Sequence, residues 1–283
     1  MLVATALWGL CLLAAGENDA PVQFQAHRGG LKEAPENTMA AYRHAWTIPG
    51  AIPEVDVTVA QDGTMVCIHD DTPGRTTNAP AVFRTKRIGE IPIETLRSWD
   101  AGAWFDARFA GEKVPLLTEV FEEMKGRPER QVYLDLKNVS LAKLAALIAD
   151  YGLRNQIIFV HGDPEMCKGL HVLFPGARTM TWISGKPERI QQRFAELAQT
   201  NFAGISQLQF HLPTLRTEPE IEYALDEAFL REAIAKTRAA GVELQLRPFD
   251  FDARALGKLV KLGVRWFVAD EPRRFAEALE NAK

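Results

Sequence analysis

Short runs of β-branched and aromatic residues alternate with amphipathic helical patterns along most of the chain. The runs predict strands at 23–28, 53–59, 65–69, 131–137, 156–161, 178–184, 204–210, 242–248 and 264–269. Between them, apolar residues recur every three to four positions, which predicts helices at 37–48, 117–125, 140–151, 164–172, 186–199, 225–240 and 252–262. Strands that alternate with helices are typical of an α/β protein with a parallel sheet.

One of the nine predicted strands does not fit this alternation. Asp62 and Gly63 separate the strand at 53–59 from the one at 65–69, and this dipeptide is typical of a tight hairpin. We therefore expect 65–69 to lie antiparallel to 53–59, outside the parallel sheet. The other eight strands predict a closed (β/α)8 TIM barrel. The stretch from about 60 to 116 then becomes an insertion between the second strand and the second helix, with a hairpin return, a loop and a short helix.

Composition agrees with one large domain and argues against one class of partner. Of the 283 residues, 47% are hydrophobic, which suffices for the core of a barrel, and the net charge is −4. The sequence contains no basic stripe interleaved with aromatic residues, so nucleic acid is not an expected partner. We expect residues 21–283 to form a single domain that takes a small-molecule substrate.

The first residues predict export. An apolar run over 1–16 is too short to span a bilayer, ends in small residues and gives way to a polar stretch. This pattern predicts a secretory signal peptide over about 1–20, cleaved after Gly16, although no Lys or Arg precedes the run. The alternative is an uncleaved, buried N-terminal helix. With the segment removed, we expect a periplasmic or secreted protein without a membrane span.

Cysteine usage leaves two alternatives open. Cys67 and Cys167 remain after signal removal, and an oxidising compartment would allow them to pair. Sequence alone does not bring their Cα atoms within bonding distance, so two separate buried thiols are the other interpretation.

Polar residues interrupt the apolar pattern where several predicted strands end. In a TIM barrel, these ends meet at the mouth that carries the chemistry. Glu54 and Asp56 lie two positions apart and therefore on one face of their strand, and the hairpin returns His69 toward Asp56. The candidate set at the mouth is His27, Arg28, Glu54, Asp56, His69, Asp135 and Lys137.

These residue types favour one kind of reaction. Three carboxylates, those of Glu54, Asp56 and Asp135, offer the oxygen ligands that Ca²⁺ and Mg²⁺ prefer, whereas Zn²⁺ would favour more nitrogen and sulfur. The cationic side chains Arg28 and Lys137 favour an anionic substrate group, most naturally phosphate. Two histidines can act as base and acid in one displacement. Together the set predicts metal-assisted phosphoryl transfer to an oxygen nucleophile.

A series of ordered motifs runs through the first half of the chain. They read QAHRGG at 25–30, APENT at 34–38, EVDV at 54–57, QDG at 61–63, IHDDT at 68–72, RTTN at 75–78, LRSWDAG at 96–102 and VPLLTEV at 114–120. In this order they closely resemble the glycerophosphodiester phosphodiesterase family over residues 24–137, and the likeness is weaker beyond. Any one motif alone would be unspecific, whereas the ordered combination is highly specific.

The resemblance implies a (β/α)8 barrel with an insertion after the second strand, in agreement with the strand count. It also implies hydrolysis of glycerophosphodiesters to glycerol 3-phosphate and an alcohol, with one divalent cation, Ca²⁺ or Mg²⁺. Carried over by motif, His27 and His69 would be the acid–base pair and Arg28 would hold phosphate. Glu54 and Asp56 would be metal ligands.

Further residues accompany this pattern or depart from it. Glu36 matches the motif glutamate that orients the first-strand loop near the metal, although the favourable position of a negative charge at a helix N-terminus explains it equally well. The family's Glu-x-Lys reads Asp135 to Lys137 here, so this ligand is one methylene shorter. Arg247 lies where relatives end a strand in a Trp-Thr-Val-Asn-like sequence that lines the alcohol pocket, and it adds a candidate anion contact. Trp182 is either core or pocket wall.

Two other functions stay open at this point. A phospholipase D-like or sphingomyelinase D-like enzyme would use the same barrel on intact lipid and would need an exposed apolar rim, for which Phe83, Trp104 and Phe105 are candidates. A non-catalytic phosphodiester-binding envelope protein would normally have lost a histidine or a metal carboxylate. Here the set is complete apart from the Glu-to-Asp exchange at Asp135.

Overall fold

Strand pairing closes a parallel barrel in the computed structural model, which describes residues 20–282. The strands are β1 (Gln23–Ala26), β2 (Ala51–Val59), β3 (Met65–Cys67), β4 (Val132–Leu136), β5 (Ile157–Val160), β6 (Arg178–Ile183), β7 (Gln207–Leu212), β8 (Thr214–Arg216), β9 (Glu222–Tyr223), β10 (Glu243–Pro248) and β11 (Trp266–Ala269). The barrel closes because β1 pairs in parallel with both β2 and β11. Strand β3 pairs antiparallel with β2, outside the barrel. The TIM-barrel prediction and its hairpin are confirmed.

Helices separate the barrel strands and cover the outside. They are α1 (Met39–Trp46), α2 (Ile93–Ser98), α3 (Leu117–Met124), α4 (Leu141–Tyr151), α5 (Pro164–Leu173), α6 (Pro187–Gln199), α7 (Glu227–Ala239), α8 (Ala253–Lys261) and α9 (Pro272–Glu280). Local chemistry sets their ends. Ser140 and Asp163 cap α4 and α5 by accepting from backbone N–H groups, and Gly152 ends α4 at φ 69°. The predicted signal peptide, over about 1–20, lies outside the described residues apart from Ala20.

The sequence pattern misses α9 and the β8–β9 hairpin. The two hairpin strands are three and two residues long and largely exposed, so no apolar alternation marks them. The strand predicted at 204–210 runs instead over Gln207–Leu212, because Asn201 and Phe202 adopt left-handed conformations in a turn before it. This shift places His211 inside the strand, where it faces the barrel mouth.

Two apolar clusters fill the space between barrel and helices, and the barrel interior is partly polar. Buried glutamines hydrogen-bond across the barrel below the mouth. Gln245 donates to Tyr133 Oη at 3.1 Å, Tyr133 donates to Gln207 at 2.8 Å and Gln209 donates to Gln245 at 2.8 Å. Because these buried polar groups are paired, they form a satisfied layer that supports the residues above it.

The insertion after β2 has an apolar core of its own. Ile88, Ile91 and Leu96 are fully buried there, and the ring of Phe83 packs against Trp99 with centroids 5.2 Å apart. Trp104 is 39% exposed, and its ring contacts Phe105 edge-on. Phe83 therefore serves the core of the insertion and is not part of an exposed rim. Among residues 20–282, no helix combines the length and apolar character that crossing a bilayer needs.

Both described cysteines are free. Cys67 lies at the end of β3 and Cys167 in α5, and both are buried. Burial raises the pKa of both thiols, that of Cys167 to about 12. The alternative of two separate buried thiols is thus the one found, and a disulfide between them is absent.

Candidate active site

Three carboxylates meet at the carboxyl end of β2 and β4. Asp56 is the register partner of Asp135 on the neighbouring strand, and Glu54 lies two residues earlier on the same face of β2. Each of the three side chains has an oxygen atom within 4.8 Å of the others, and all three are buried. Strand periodicity therefore places Glu54 and Asp56 on one face of β2, and the parallel register with β4 brings Asp135 beside them.

Each carboxylate is held by neighbouring polar groups. Gln25 donates to Glu54 at 2.7 Å, and Asn37 donates to Asp56 Oδ2 at 2.7 Å. Lys137 Nζ lies 2.9 Å from Asp135 Oδ2 and 3.1 Å from Asp56 Oδ1. Burial, reinforced by the charge of Asp56, raises the pKa of Asp135 to about 7. Burial also acts to raise the pKa of Asp56, but the nearby Lys137 ammonium holds it below its ordinary value.

The cluster fits a divalent cation. Asp56 Oδ1 is buried and makes no hydrogen bond, although the Lys137 ammonium lies 3.1 Å from it as an ion-pair partner. A buried carboxylate oxygen without a hydrogen bond, beside two more carboxylates, is costly unless positive charge offsets it. Oxygen ligands alone favour a hard cation over zinc.

A tight turn places Arg28 at the mouth. The turn His27–Gly29 follows β1, and Arg28 adopts φ 52° in it. Gly29 is required by space as well as by its φ of 85°, because a Cβ there would lie 2.7 Å from Ala41 Cβ. Arg28 donates from Nη1 to Glu36 at 2.9 Å, and its Nη2 lies 2.9 Å from His69 Nε2.

His69 is fixed at both ring nitrogens. Its Nδ1 lies 2.9 Å from Asp70 Oδ1, and its Nε2 faces Arg28, which can only donate. These partners assign the proton of the neutral ring to Nδ1. Arg75 forms hydrogen bonds with both Asp70 oxygens, and these hold the pKa of Asp70 well below its ordinary value.

His27 has a comparable arrangement. Its Nδ1 lies 2.8 Å from Asp270 Oδ1 and 2.9 Å from Arg247 Nη2. Arg247 also donates to Asp270 at 3.0 Å. Burial acts to raise the pKa of Asp270, but the His27 hydrogen bond and the Arg247 charge bring it down to about 2. With Nδ1 engaged, Nε2 is the His27 nitrogen left for a substrate.

Glu36 faces arginines, and it is not a member of the carboxylate cluster. Arg28 donates to it once and Arg75 twice, at 2.7 and 2.8 Å. Burial alone would raise the pKa of Glu36, but these guanidinium groups hold it below the ordinary value. Its place in the structure is to orient Arg28 and to tie the insertion to the loop after β1.

One cavity of about 190 Å³ at the mouth brings most of these side chains together. The charged and aromatic residues that line it are His27, Arg28, Glu54, His69, Asp135, Lys137, Trp182, His211 and Arg247. Trp182 is half-buried, and it is a wall of this cavity. Sequence reasoning missed His211, which no motif marks. The signal that would have found it is the two-residue periodicity of β7, in which His211 follows Gln207 and Gln209 on the inward face.

The fold and this cavity define a (β/α)8 barrel protein with a buried carboxylate cluster, basic side chains and two histidines at the carboxyl end of its strands. Residues 27–274 match the glycerophosphoryl diester phosphodiesterase family. The chain belongs to that family.

Individual relatives agree with this assignment. A glycerophosphodiester phosphodiesterase of Caldanaerobacter subterraneus is 35% identical over 139 residues, which are 47% of this chain and 55% of that protein. The match thus spans about half the length of that relative. The crystal structure of a glycerophosphodiester phosphodiesterase from Agrobacterium tumefaciens has 29% identity and a TM-score of 0.69, covering 90% of this chain and 99% of that one.

A third comparison concerns the fold alone. An Oleispira antarctica phosphodiesterase, solved in complex with the product sn-glycerol-3-phosphate, has a TM-score of 0.70 at 23% identity. The alignment covers 91% of this chain and 96% of that one.

Proposed function

We propose that this chain hydrolyses glycerophosphodiesters to glycerol 3-phosphate and an alcohol, with one divalent cation, Ca²⁺ or Mg²⁺. The observation that carries the proposal is one cavity, in which two histidines oriented by aspartates share the lining with two carboxylates of the cluster, Glu54 and Asp135, and with three cationic side chains. In the overall reaction, water adds to phosphorus and the bond from phosphorus to the alcohol oxygen breaks. The family match supports this choice of substrate.

Arg28 and Lys137 are proposed to bind the phosphate. Both line the cavity, and each is held by a carboxylate partner, Glu36 for Arg28 and Asp135 for Lys137. Fixed cations offset the negative charge that gathers on the phosphoryl oxygens in the transition state. Because their partners already hold them in place, they need little reorganisation when the substrate binds.

Glu54, Asp56 and Asp135 would hold the cation. Their buried oxygens lie within 4.8 Å of one another. When bound, the ion supplies Lewis-acid stabilisation of the phosphoryl group. Lys137 would remain beside it as the counter-charge to the remaining carboxylate oxygens.

The two histidines are proposed to move protons. One accepts the proton of the attacking hydroxyl, which belongs either to water or to the glycerol 2-hydroxyl of the substrate, and the other donates a proton to the leaving alcohol. If the glycerol hydroxyl attacks, a cyclic phosphate forms first and water then opens it. Asp70 and Asp270 keep Nδ1 engaged in each ring, so proton transfer falls to Nε2, which is open in His27 and faces the Arg28 guanidinium in His69.

A coupled assay tests the proposal. Glycerol 3-phosphate release is measured over a panel of glycerophosphodiesters after EDTA treatment, and again with Ca²⁺ or Mg²⁺ restored. We expect release that disappears with EDTA and returns with one of the ions. Absence of release from every diester would favour a non-catalytic binding protein, and choline-phosphate ester cleavage confined to sphingomyelin micelles would favour a lipid phosphodiesterase.

We also propose that the protein is exported. The support is the sequence pattern of the first residues, an apolar run over 1–16 followed by polar residues. Fractionation of cells that produce the full chain tests this. Mature protein found outside the cytoplasm and starting near residue 17 is the expected result, and full-length protein retained in the cytoplasm would contradict it.

A further inference from the structure

The cavity at the mouth has two chemically different walls. The wall made by the early strands carries the carboxylate cluster and the proposed phosphate-binding cations. The wall made by the late strands carries His211 on β7 and Arg247 on β10, which are register partners on neighbouring parallel strands. The proposed reaction gives neither of these two side chains a role, so the late-strand wall is a candidate for contact with another part of the substrate.

His211 is a neutral ring with unused hydrogen-bonding capacity. Burial, followed by the charges of Arg247 and His27, lowers the pKa of His211 to about 4. A neutral imidazole offers one donor and one acceptor. Within residues 20–282, the ring packs edge-on against Phe249, with centroids 5.7 Å apart, and makes no side-chain hydrogen bond. The ring lines the cavity, so both functions can serve a bound molecule.

Arg247 likewise keeps donors for a ligand. Its hydrogen bonds to His27 and Asp270 both use Nη2, whereas Nη1 and Nε donate to no other described residue. Its side chain is 16% exposed, and its charge is balanced by Asp270 at 3.0 Å. The wall therefore offers several donors and acceptors but little net charge.

Such a wall is poorly suited to a quaternary ammonium group. Recognition of choline generally uses the faces of several aromatic rings. Here Trp182 is the aromatic side chain among the cavity-lining residues, and Phe249 already contacts both His211 and Arg247. Because Asp270 balances the charge of Arg247, the wall also offers a fixed positive charge little net attraction. Hydroxyl groups, in contrast, can pair with a guanidinium and a neutral imidazole.

We infer that His211 and Arg247 form the subsite for the alcohol portion of the substrate and select hydroxyl-rich alcohols, such as inositol or glycerol, over choline. This inference rests on the proposed function, because it assigns the part of the substrate beyond the phosphate. Arg247 would contribute donors from Nη1 and Nε, and His211 one donor and one acceptor. The wall would therefore be a specificity determinant of the reaction.

The test compares two diesters that share the glycerol phosphate and differ in the alcohol. Steady-state kinetics are measured with glycerophosphoinositol and glycerophosphocholine for the native chain, Arg247→Met and His211→Phe. We expect the native chain to favour the inositol ester, and each variant to lower the ratio of the two kcat/KM values about five- to tenfold, mainly through KM of the inositol ester. Arg231→Met, which removes an exposed arginine on α7, is the matched control and should leave the ratio unchanged.

The ratio separates this subsite from the chemistry. Arg247 also touches His27, so Arg247→Met can lower kcat for both esters, but such a loss cancels in the ratio. His211 makes no hydrogen bond to His27, so His211→Phe checks the subsite independently. A ratio that stays constant in both variants, or a native preference for the choline ester, would overturn the inference while leaving the proposed hydrolysis intact. If the native chain releases glycerol 3-phosphate from neither ester, the proposed function itself fails.

Discussion

Two His–Asp–Arg groups border the same cavity, and the chain builds them in opposite ways. His69, Asp70 and Arg75 lie within seven residues of one another at the start of the insertion. His27 meets Asp270 across 243 positions of sequence and Arg247 across 220. The first group is local and its residues lie within two of the ordered motifs. The second exists only because the barrel closes and brings β1 beside β11 and β11 beside β10.

The two groups also differ in how the arginine meets the histidine. Arg75 contacts Asp70 and Glu36, so it acts on His69 through other side chains and not directly. Arg247 contacts both Asp270 and the Nδ1 of His27. The His27 ring therefore has an acceptor and a donor at one nitrogen. With the proton on Nδ1 the ring donates to Asp270, and with Nδ1 unprotonated it accepts from Arg247. The comparison teaches that two similar groups of three residues can differ in the hydrogen bonds they allow at Nδ1 of the histidine.

Removing either histidine should have the largest effect. We expect His27→Ala and His69→Ala each to lower turnover about 10²- to 10⁴-fold, because each ring is a proposed proton-transfer group. Stopped assays of glycerol 3-phosphate release, with thermal unfolding as a check on folding, measure this. His171→Ala on α5 is the matched control, since that ring lies against the carbonyl of Gly204 outside the cavity. Near-normal turnover of His69→Ala would show that the group of His69, Asp70 and Arg75 takes no part in the mechanism.

Loss of the cation should come next. We expect EDTA to lower turnover about 10²-fold or more, because Lewis-acid stabilisation is worth several kcal/mol. A second readout is independent of activity. Since a cation that binds only the folded chain stabilises it, Ca²⁺ or Mg²⁺ should raise Tm, and Asp56→Asn should abolish that rise. An unchanged Tm with saturating ion would argue against the carboxylate cluster as its site.

The group of His27, Asp270 and Arg247 predicts a pH-dependent contribution to the stability of the fold. The pKa of Asp270 is about 2 in the folded chain, below the ordinary value of about 3.9. A lowered carboxyl pKa stabilises the fold above about pH 4, and this contribution is lost as the pH falls toward 2. Asp270→Asn should therefore lower the free energy of unfolding by about 1–2 kcal/mol at pH 7 and by less at pH 3. Urea unfolding at both pH values measures this, with exposed Asp150→Asn as control. A deficit that is equal at the two pH values would contradict the ion-pair account.

The smallest effect is expected at the β8–β9 hairpin, beside the late-strand wall of the cavity. Leu215 on β8 is 70% exposed, and the hairpin is tied to the loop after β10 by the hydrogen bond from Tyr223 to Asp250 at 2.9 Å. Leu215→Ser should change the free energy of unfolding by less than about 0.5 kcal/mol, as surface substitutions usually do, and should leave turnover unchanged. A large loss of turnover would indicate that this hairpin also belongs to the late-strand wall of the cavity.

The early half of the site was predictable in unusual detail. Strand alternation places Glu54 and Asp56 on one face, and the hairpin turn at Asp62 and Gly63 brings His69 back toward Asp56. The family resemblance pointed to the same three residues. The late half was predicted only in part. Arg247 was named as a departure from the family pattern, but its contacts with His27 and Asp270 depend on strands that are far apart in sequence. His211 was missed because its predicted strand ended one residue too early.

By itself the sequence determined the barrel, the hairpin and the acidic and histidine residues of the early strands, because side-chain periodicity and turn chemistry act over a few residues. Only the tertiary structure decided that Glu36 accepts hydrogen bonds from two arginines and that Cys67 and Cys167 stay apart. It also decided that a second wall, made by His211 and Arg247, faces the cavity. These features depend on which strand ends become neighbours when the barrel closes. That relation is set by the packing of the whole chain, and no local pattern records it.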